Sequence, residues 1–186
     1  TSGQIDNWSN PSVIATAPVT AEQADHLTGL HAAGIVTATI EAGTAASINA
    51  ALSVADATDA LTITLTDASV AATDLSGLNG KTSVAVNAAS VGTVTGTFAD
   101  LQAAYAPGVS GLGNEAITVS EAISVTDANT LAVLTTGAVT ATIADGDLAT
   151  LNYLGETGNA YAVTVTDTTA VAPDLTTLSG KTSVAV

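Results

Sequence analysis

The chain has 186 residues, 47% apolar but only 3% aromatic, so any core must be built from Ala, Val and Leu. Lys and Arg total 2 against 17 Asp and Glu, a formal net charge of −15. That balance excludes nucleic acid and anionic lipid surfaces as expected partners, because both are gripped by clustered cations. There is no cysteine, hence no disulfide framework, and no run of about 18 apolar residues that could insert into a membrane.

In chain order, residues 1–20 are polar and punctuated by Trp8, Pro11 and Pro18, and read as an N-terminal linker or cap. The opening lacks an initiating Met and the basic and apolar regions of a signal peptide, and the last residue falls inside a repeat copy. A segment of a longer chain is expected to look this way.

From 21 to 186 short strands and short helices alternate. A helix over 24–30, stopped by Gly34, precedes a strand at 35–40. A second helix at 47–52 leads to a strand at 61–66. Asp74 opens a third helical turn through Leu75 and Leu78, Gly80 closes it, and a strand follows at 82–86. An added strand is predicted at 92–98 and a helix from Asp100 to Tyr105. After a Pro-Gly loop at 107–114 come a strand at 116–120, a helix from Asp127 through Leu134 and a strand at 138–143. Asp147 and Asp174 open the last two helices, with a strand at 161–166 between them. In each rung an N-terminal Asp or Ser is expected to cap the helix, and glycine to end it.

The rungs resemble one another. Residues 61–86 and 161–186 share TxTD, DLxxL and GKTSVAV at matching offsets, 100 residues apart. Helix starts at 25, 47, 74, 100, 127, 147 and 174 give a mean spacing of about 25 residues. The strands alternate: Val36, Ala38 and Ile40 against Thr37 and Thr39, and Val139, Ala141 and Ile143 against Thr140 and Thr142. Period 2 with β-branched residues marks strands with one buried face. The expected fold class is α/β, a solenoid of about 25-residue strand–helix rungs with a parallel sheet, on a leucine-rich-repeat-like plan. An all-β solenoid is the alternative, with apolar pieces at 68–71, 122–125 and 169–172 forming a second sheet edge.

Candidate chemistry is sparse. Asp67, Asp145, Asp147 and Asp167 stand at strand ends and are the candidate ligands for Ca²⁺, a hard cation that takes oxygen donors; as residues of the same type they also suit helix capping. Lys81 and Lys181 occupy one repeat position and suit a surface ion pair. His26 and His31 lie five apart, off the spacing that places two imidazoles on one helix face, and read as surface residues. The GKTS at 80–83 echoes a phosphate-binding loop but has Leu75 where the first glycine belongs, and its lysine leads into a strand. No GxSxG occurs, and the few aromatic residues (Trp8, Phe98, Tyr105, Tyr153, Tyr161) make a poor sugar platform, so no enzyme is expected. Rows of Thr-x-Thr on an outer sheet face offer the other function, an ice-binding face.

The stretches VTATIADGDLATLN and TVTDTTAVAPDLTTLSGKTSVAV resemble very large, repetitive, acidic secreted proteins of bacteria, of marine and cyanobacterial type. The resemblance covers most of 21–186 and is one of composition and repetition, rich in Ala, Thr, Val and Asp and free of Cys. It implies secretion and a place at the cell surface, as an adhesin or surface-layer component. The expected function is thus a non-enzymatic structural repeat module for adhesion, extension or lattice assembly. Its expected partners are other copies of itself or cell-surface components.

Overall fold

The computed structural model describes residues 12–31 and 34–186. In chain order its elements begin with β1 (Val13–Ile14), α1 (Ala21–Leu30), β2 (Val36–Thr39), α2 (Ala45–Ala51) and β3 (Ala60–Thr62). They continue with β4 (Ser69–Ala71), α3 (Ala72–Asn79), β5 (Val86–Asn87), β6 (Thr93–Gly96), α4 (Phe98–Ala104) and β7 (Val109–Ser110). The remainder are β8 (Ala116–Ile123), α5 (Val125–Ala132), β9 (Val139–Ile143), α6 (Leu148–Leu151), β10 (Ala160–Ala162) and α7 (Ala172–Ser179). The class is α/β, and seven helices among the described residues set the all-β alternative aside.

Every strand pair among the described residues is parallel. A parallel pair cannot be closed by a tight turn and needs a crossover; here each crossover carries one short helix or a loop. Partners lie from 20 residues apart (Thr140 and Ala160) to 24 apart (Ser69 and Thr93). Alternation along β2 and β9 is as the sequence predicts, with Val36, Ala38, Val139 and Ala141 buried and Thr37, Thr39, Thr140 and Thr142 exposed.

The chain forms two compact units. The first comprises Thr1–Asp67, Asp74–Ala89 and Pro107–Ser110. It holds the sheet β1-β2-β3 and the pair β5-β7, around a core of Val36, Ile40, Ile48, Leu52, Leu61, Ile63, Leu75, Leu78 and Val86. The second comprises Ala68–Thr73, Ser90–Ala106 and Gly111–Val186. Its five strands run in the order β10-β9-β8-β6-β4 over a core that includes Val94, Leu101, Ile117, Leu131, Val139, Leu151, Leu154 and Tyr161.

Several boundaries differ from expectation. Helix α1 begins four residues before Asp25, α2 two before Ser47, and α3, α4, α5 and α7 two before the Asp expected to open each; in α1, α2, α4 and α5 a Thr or Ser holds the N-cap instead. Thr20, Thr44, Thr97 and Ser124 each accept a hydrogen bond from the N–H three residues on. Asp100 and Asp127 sit in the first turn and accept from the capping hydroxyls of Thr97 and Ser124 at 2.6 and 2.8 Å. That placement suits the positive end of the helix dipole. Asp147, by contrast, caps its helix directly. Within the predicted linker or cap, Val13 and Ile14 pair with β2, and Val19 bridges to Ile40. Trp8 lies outside the described residues.

Candidate functional site

The acidic side chains singled out by sequence are built into helix N-termini. An N-cap residue satisfies the N–H at position N3 but leaves the N–H at N1 open. Here that group meets a carboxylate 19 to 23 residues later in the chain. Ala45 N–H donates to Asp67 at 2.8 Å, Val125 N–H to Asp145 at 2.7 Å and Leu148 N–H to Asp167 at 2.6 Å. Phe98 N–H donates to Glu121 at 2.9 Å, a fourth instance that sequence reading missed. Asp147 is the N-cap of α6, accepting from Thr150 N–H at 2.9 Å and from the Thr150 hydroxyl. So Asp145 and Asp147, two apart in sequence, serve two different helices. Among the described residues no three His, Asp or Glu side chains converge on a point where a metal ion could sit.

Hydrogen bonds depress the carboxyls of Asp25, Asp56 and Asp147. The Thr150 hydroxyl and then its N–H hold Asp147 below the usual carboxylate range. At Asp25 burial works upward but is outweighed by the Val54 N–H and the Ser53 hydroxyl, and the net displacement is downward.

The GKTSVAV motif has a structural explanation. Thr82 is buried, and its hydroxyl accepts from Leu61 N–H at 2.9 Å and Val84 N–H at 3.1 Å while donating to Leu61 O at 2.8 Å. Thr182 repeats this on Tyr161 N–H, Val184 N–H and Tyr161 O at 2.9, 3.1 and 2.8 Å. In each copy one hydroxyl thus engages both the N–H and the carbonyl of a residue 21 positions earlier. The following serines bond Asp59 O and Asn159 O through their N–H groups, at 2.7 and 2.8 Å. Asp59 and Asn159 are themselves buried, and their side-chain oxygens accept from Val36 N–H and Val139 N–H at 2.9 and 2.8 Å. The signal for these residues was in the sequence: they lie in or just before the repeated segments.

Lys81 caps a helix too: its ammonium donates to the carbonyl of Leu52, the C-cap of α2, where the dipole favours a cation. Lys181 is half-buried. Glu115, almost fully buried, accepts from Gly113 N–H at 2.7 Å, Asn114 N–H at 3.1 Å and the Tyr105 hydroxyl. Burial, the hydrogen bond and the Glu115 charge push the Tyr105 phenol far up. With both carboxylate oxygens engaged, the pair pins a loop. His26 lines an open hollow of about 480 Å³ with Val19, Glu22, Gln23 and Leu27, and His31 lines a separate one of about 180 Å³ beside Asp56 and Asp59.

The outer threonines align in part. Thr95, Thr118 and Thr140 are in register across three strands, after which the row continues as Ala160. In the other unit Thr39 pairs with Thr62.

No protein-family model, curated protein or solved structure matches the chain.

Proposed function

We propose that the chain is a non-enzymatic structural repeat module of a large secreted bacterial surface protein. In this reading it is a stack of strand–helix rungs, an α/β solenoid on a leucine-rich-repeat-like plan, that serves extension, adhesion or surface-lattice assembly. The observation that carries it is the uniform parallel pairing at separations of 20 to 24 residues. A short rung cannot bury its own apolar face and gains stability only by stacking. The carboxylates support the same reading, since their N–H partners engage them in joining rung to rung. The composition and the resemblance to acidic secreted proteins support the location.

Single-molecule pulling tests it. A stack should yield in steps of one or a few rungs, each rung releasing roughly 70–85 Å of chain. One all-or-none extension of the whole chain, or turnover in a screen for polysaccharide cleavage, overturns the reading. Calcium is tested by thermal melts with millimolar Ca²⁺ and with chelator. An unchanged melt is the expected result, because the candidate carboxylates already hold N–H partners. A large upward shift would put calcium on Asp67, Asp145, Asp147 and Asp167.

The in-register row Thr95, Thr118 and Thr140 favours a second reading, an ice-binding face. Thermal hysteresis that disappears in Thr140→Tyr would support it, and absence of hysteresis in the unaltered chain would dismiss it.

A further inference from the structure

The loops 56–59 and 156–159 lead into β3 and β10 at matching positions, and they differ in what they leave open. In the earlier loop the polar groups answer one another. Asp59 is buried; its Oδ1 accepts from Val36 N–H at 2.9 Å and its Oδ2 from Asp56 N–H at 3.3 Å. Asp56 Oδ1 in turn accepts from Thr58 N–H and the Thr58 hydroxyl at 2.8 and 2.6 Å. The later loop has Glu156 for Asp56, Gly158 for Thr58 and Asn159 for Asp59. Asn159 is 4% exposed, and its Oδ1 keeps the equivalent bond, accepting from Val139 N–H at 2.8 Å. Its Nδ2 is a donor and cannot take the Glu156 N–H. Gly158, at φ +89° with open space where a Cβ would stand, has no hydroxyl to hold the Glu156 carboxylate.

These groups border a hollow of about 380 Å³ within the second unit. One wall is Thr135, Thr136 and Gly137, the other Glu156, Thr157 and Asn159. Both walls are backed by further chain. The Thr135 hydroxyl donates to Glu115 O and the Thr136 hydroxyl to Gly113 O, at 2.6 and 3.2 Å. Behind the other wall, Ser183 N–H and its hydroxyl donate to Asn159 O at 2.8 and 3.0 Å. Among the described residues neither Asn159 Nδ2 nor the exposed Glu156 carboxylate has a hydrogen-bond partner, and Nδ2 is not sealed from solvent. A polar group on so buried a side chain normally has a partner.

The donors and acceptors narrow the ligand. An anion is opposed by Glu156 and by the net charge of −15. A metal ion is opposed by the Asn159 amide hydrogens, and no three His, Asp or Glu converge among the described residues. Adjacent hydroxyls both donate and accept, so one can donate to the carboxylate while the next accepts from the amide. The volume falls within the range of about 300–1,000 Å³ usual for small-molecule sites. We infer that this hollow binds a neutral sugar residue, whose hydroxyls donate to Glu156 and accept from Asn159 Nδ2, with the Thr157 hydroxyl beside them. The inference deepens the adhesive role proposed above by naming a glycan as ligand, and rests on that reading for the ligand's source.

Amide-resolved NMR of the full chain tests it. The probes are glucose, galactose, mannose and N-acetylglucosamine, each free and as the methyl glycoside. At least one should shift the Asn159 side-chain amide and the backbone amides of Gly137, Thr157 and Gly158, saturably at millimolar concentration, while Thr58 and Asp59 stay unmoved. Asn159→Asp retains the oxygen that holds Val139 N–H and restores the acceptor of the earlier loop, so it should fold and bind roughly tenfold more weakly or worse. Glu156→Gln, at an exposed position, should weaken binding by a similar factor. Binding of a methyl glycoside is expected for a sugar displayed on a glycan, and binding of free sugars alone overturns that source. No shift with any of the sugars, equal shifts at Thr58 and Asp59, shifts unchanged in Asn159→Asp, or shifts with Ca²⁺ alone overturn the site. Stepwise unfolding under force is read separately. Its absence with sugar binding intact would remove the stacked module and leave the site; its presence without sugar binding would do the reverse.

Discussion

Residues 61–86 and 161–186 carry almost the same motif but have different surroundings. Within the motif the two behave alike: Thr82 and Thr182 make the same three backbone bonds within 0.1 Å, and the serines that follow bond the same upstream carbonyl position. Outside it they part. Ile63, Leu65 and Leu75 are buried in the first copy; Val163 and Val165 are half-buried and Leu175 exposed in the second. The helices also start differently from their neighbours. α7 has Val171 at its N-cap with no side-chain bond and relies on an early proline, where α4 and α5 have Thr97 and Ser124. The hydrogen-bond pattern is therefore common to both copies, while burial depends on what packs against each.

The sharpest way to break the comparison is at the paired leucines. Leu75→Ala removes a fully buried side chain and should cost about 2–5 kcal/mol in denaturant unfolding. Leu175→Ala, at a partly exposed site, should cost about 1 kcal/mol or less. Equal losses would mean that the second face is covered in solution. The threonines should instead behave alike. Thr82→Val and Thr182→Val each strand buried backbone N–H groups and should each cost about 1–3 kcal/mol, with Ser restoring most of it.

A smaller effect separates the copies at position 61 and its counterpart. Leu61 is replaced by Tyr161, whose hydroxyl is buried without a hydrogen-bond partner among the described residues. Tyr161→Phe should be neutral or slightly stabilising, because it removes a desolvated polar atom. Burial, then the Glu156 charge, pushes this phenol up to about 12. A group whose folded pKa is raised contributes stability that is complete below its unfolded value of about 10 and is lost as pH rises through the folded one. The unaltered chain should therefore lose stability between about pH 10 and 12, and Tyr161→Phe should lose less.

The smallest effect lies on the acid side. Asp25 and Asp147 are depressed, so their contributions are present above the unfolded value of about 3.9 and fade as pH falls through the folded one. Melting temperature should drop on acidification below about pH 4, and less steeply in Asp147→Asn.

Much of this was legible in the sequence because it is local. The period-2 strands at 36–39 and 139–143 were found at nearly the right bounds, since alternation reports one buried face directly. The strand at 92–98 was also found, shortened to Thr93–Gly96. Helix starts were placed too late because Asp was taken as the cap, when the hydroxyl three residues before it holds that position and Asp answers from the first turn. The strand expected at 82–86 shrinks to Val86–Asn87, because the Thr82 hydroxyl occupies the ladder position. The acidic candidates were singled out as one class at strand ends, and their N–H partners were out of reach of sequence reading. Nothing near Asp167 in sequence indicates that it meets the N–H of Leu148, 19 residues earlier.

The sequence by itself determined the α/β class and the alternating strands, because these depend on residues a few positions apart. Only the tertiary structure decided the parallel registers, which carboxylate closes which helix, and that Thr82 and Thr182 bond backbone 21 residues earlier. Those outcomes depend on how connections of about twenty residues bring distant backbone together, and the side chains within one short segment carry no local record of that.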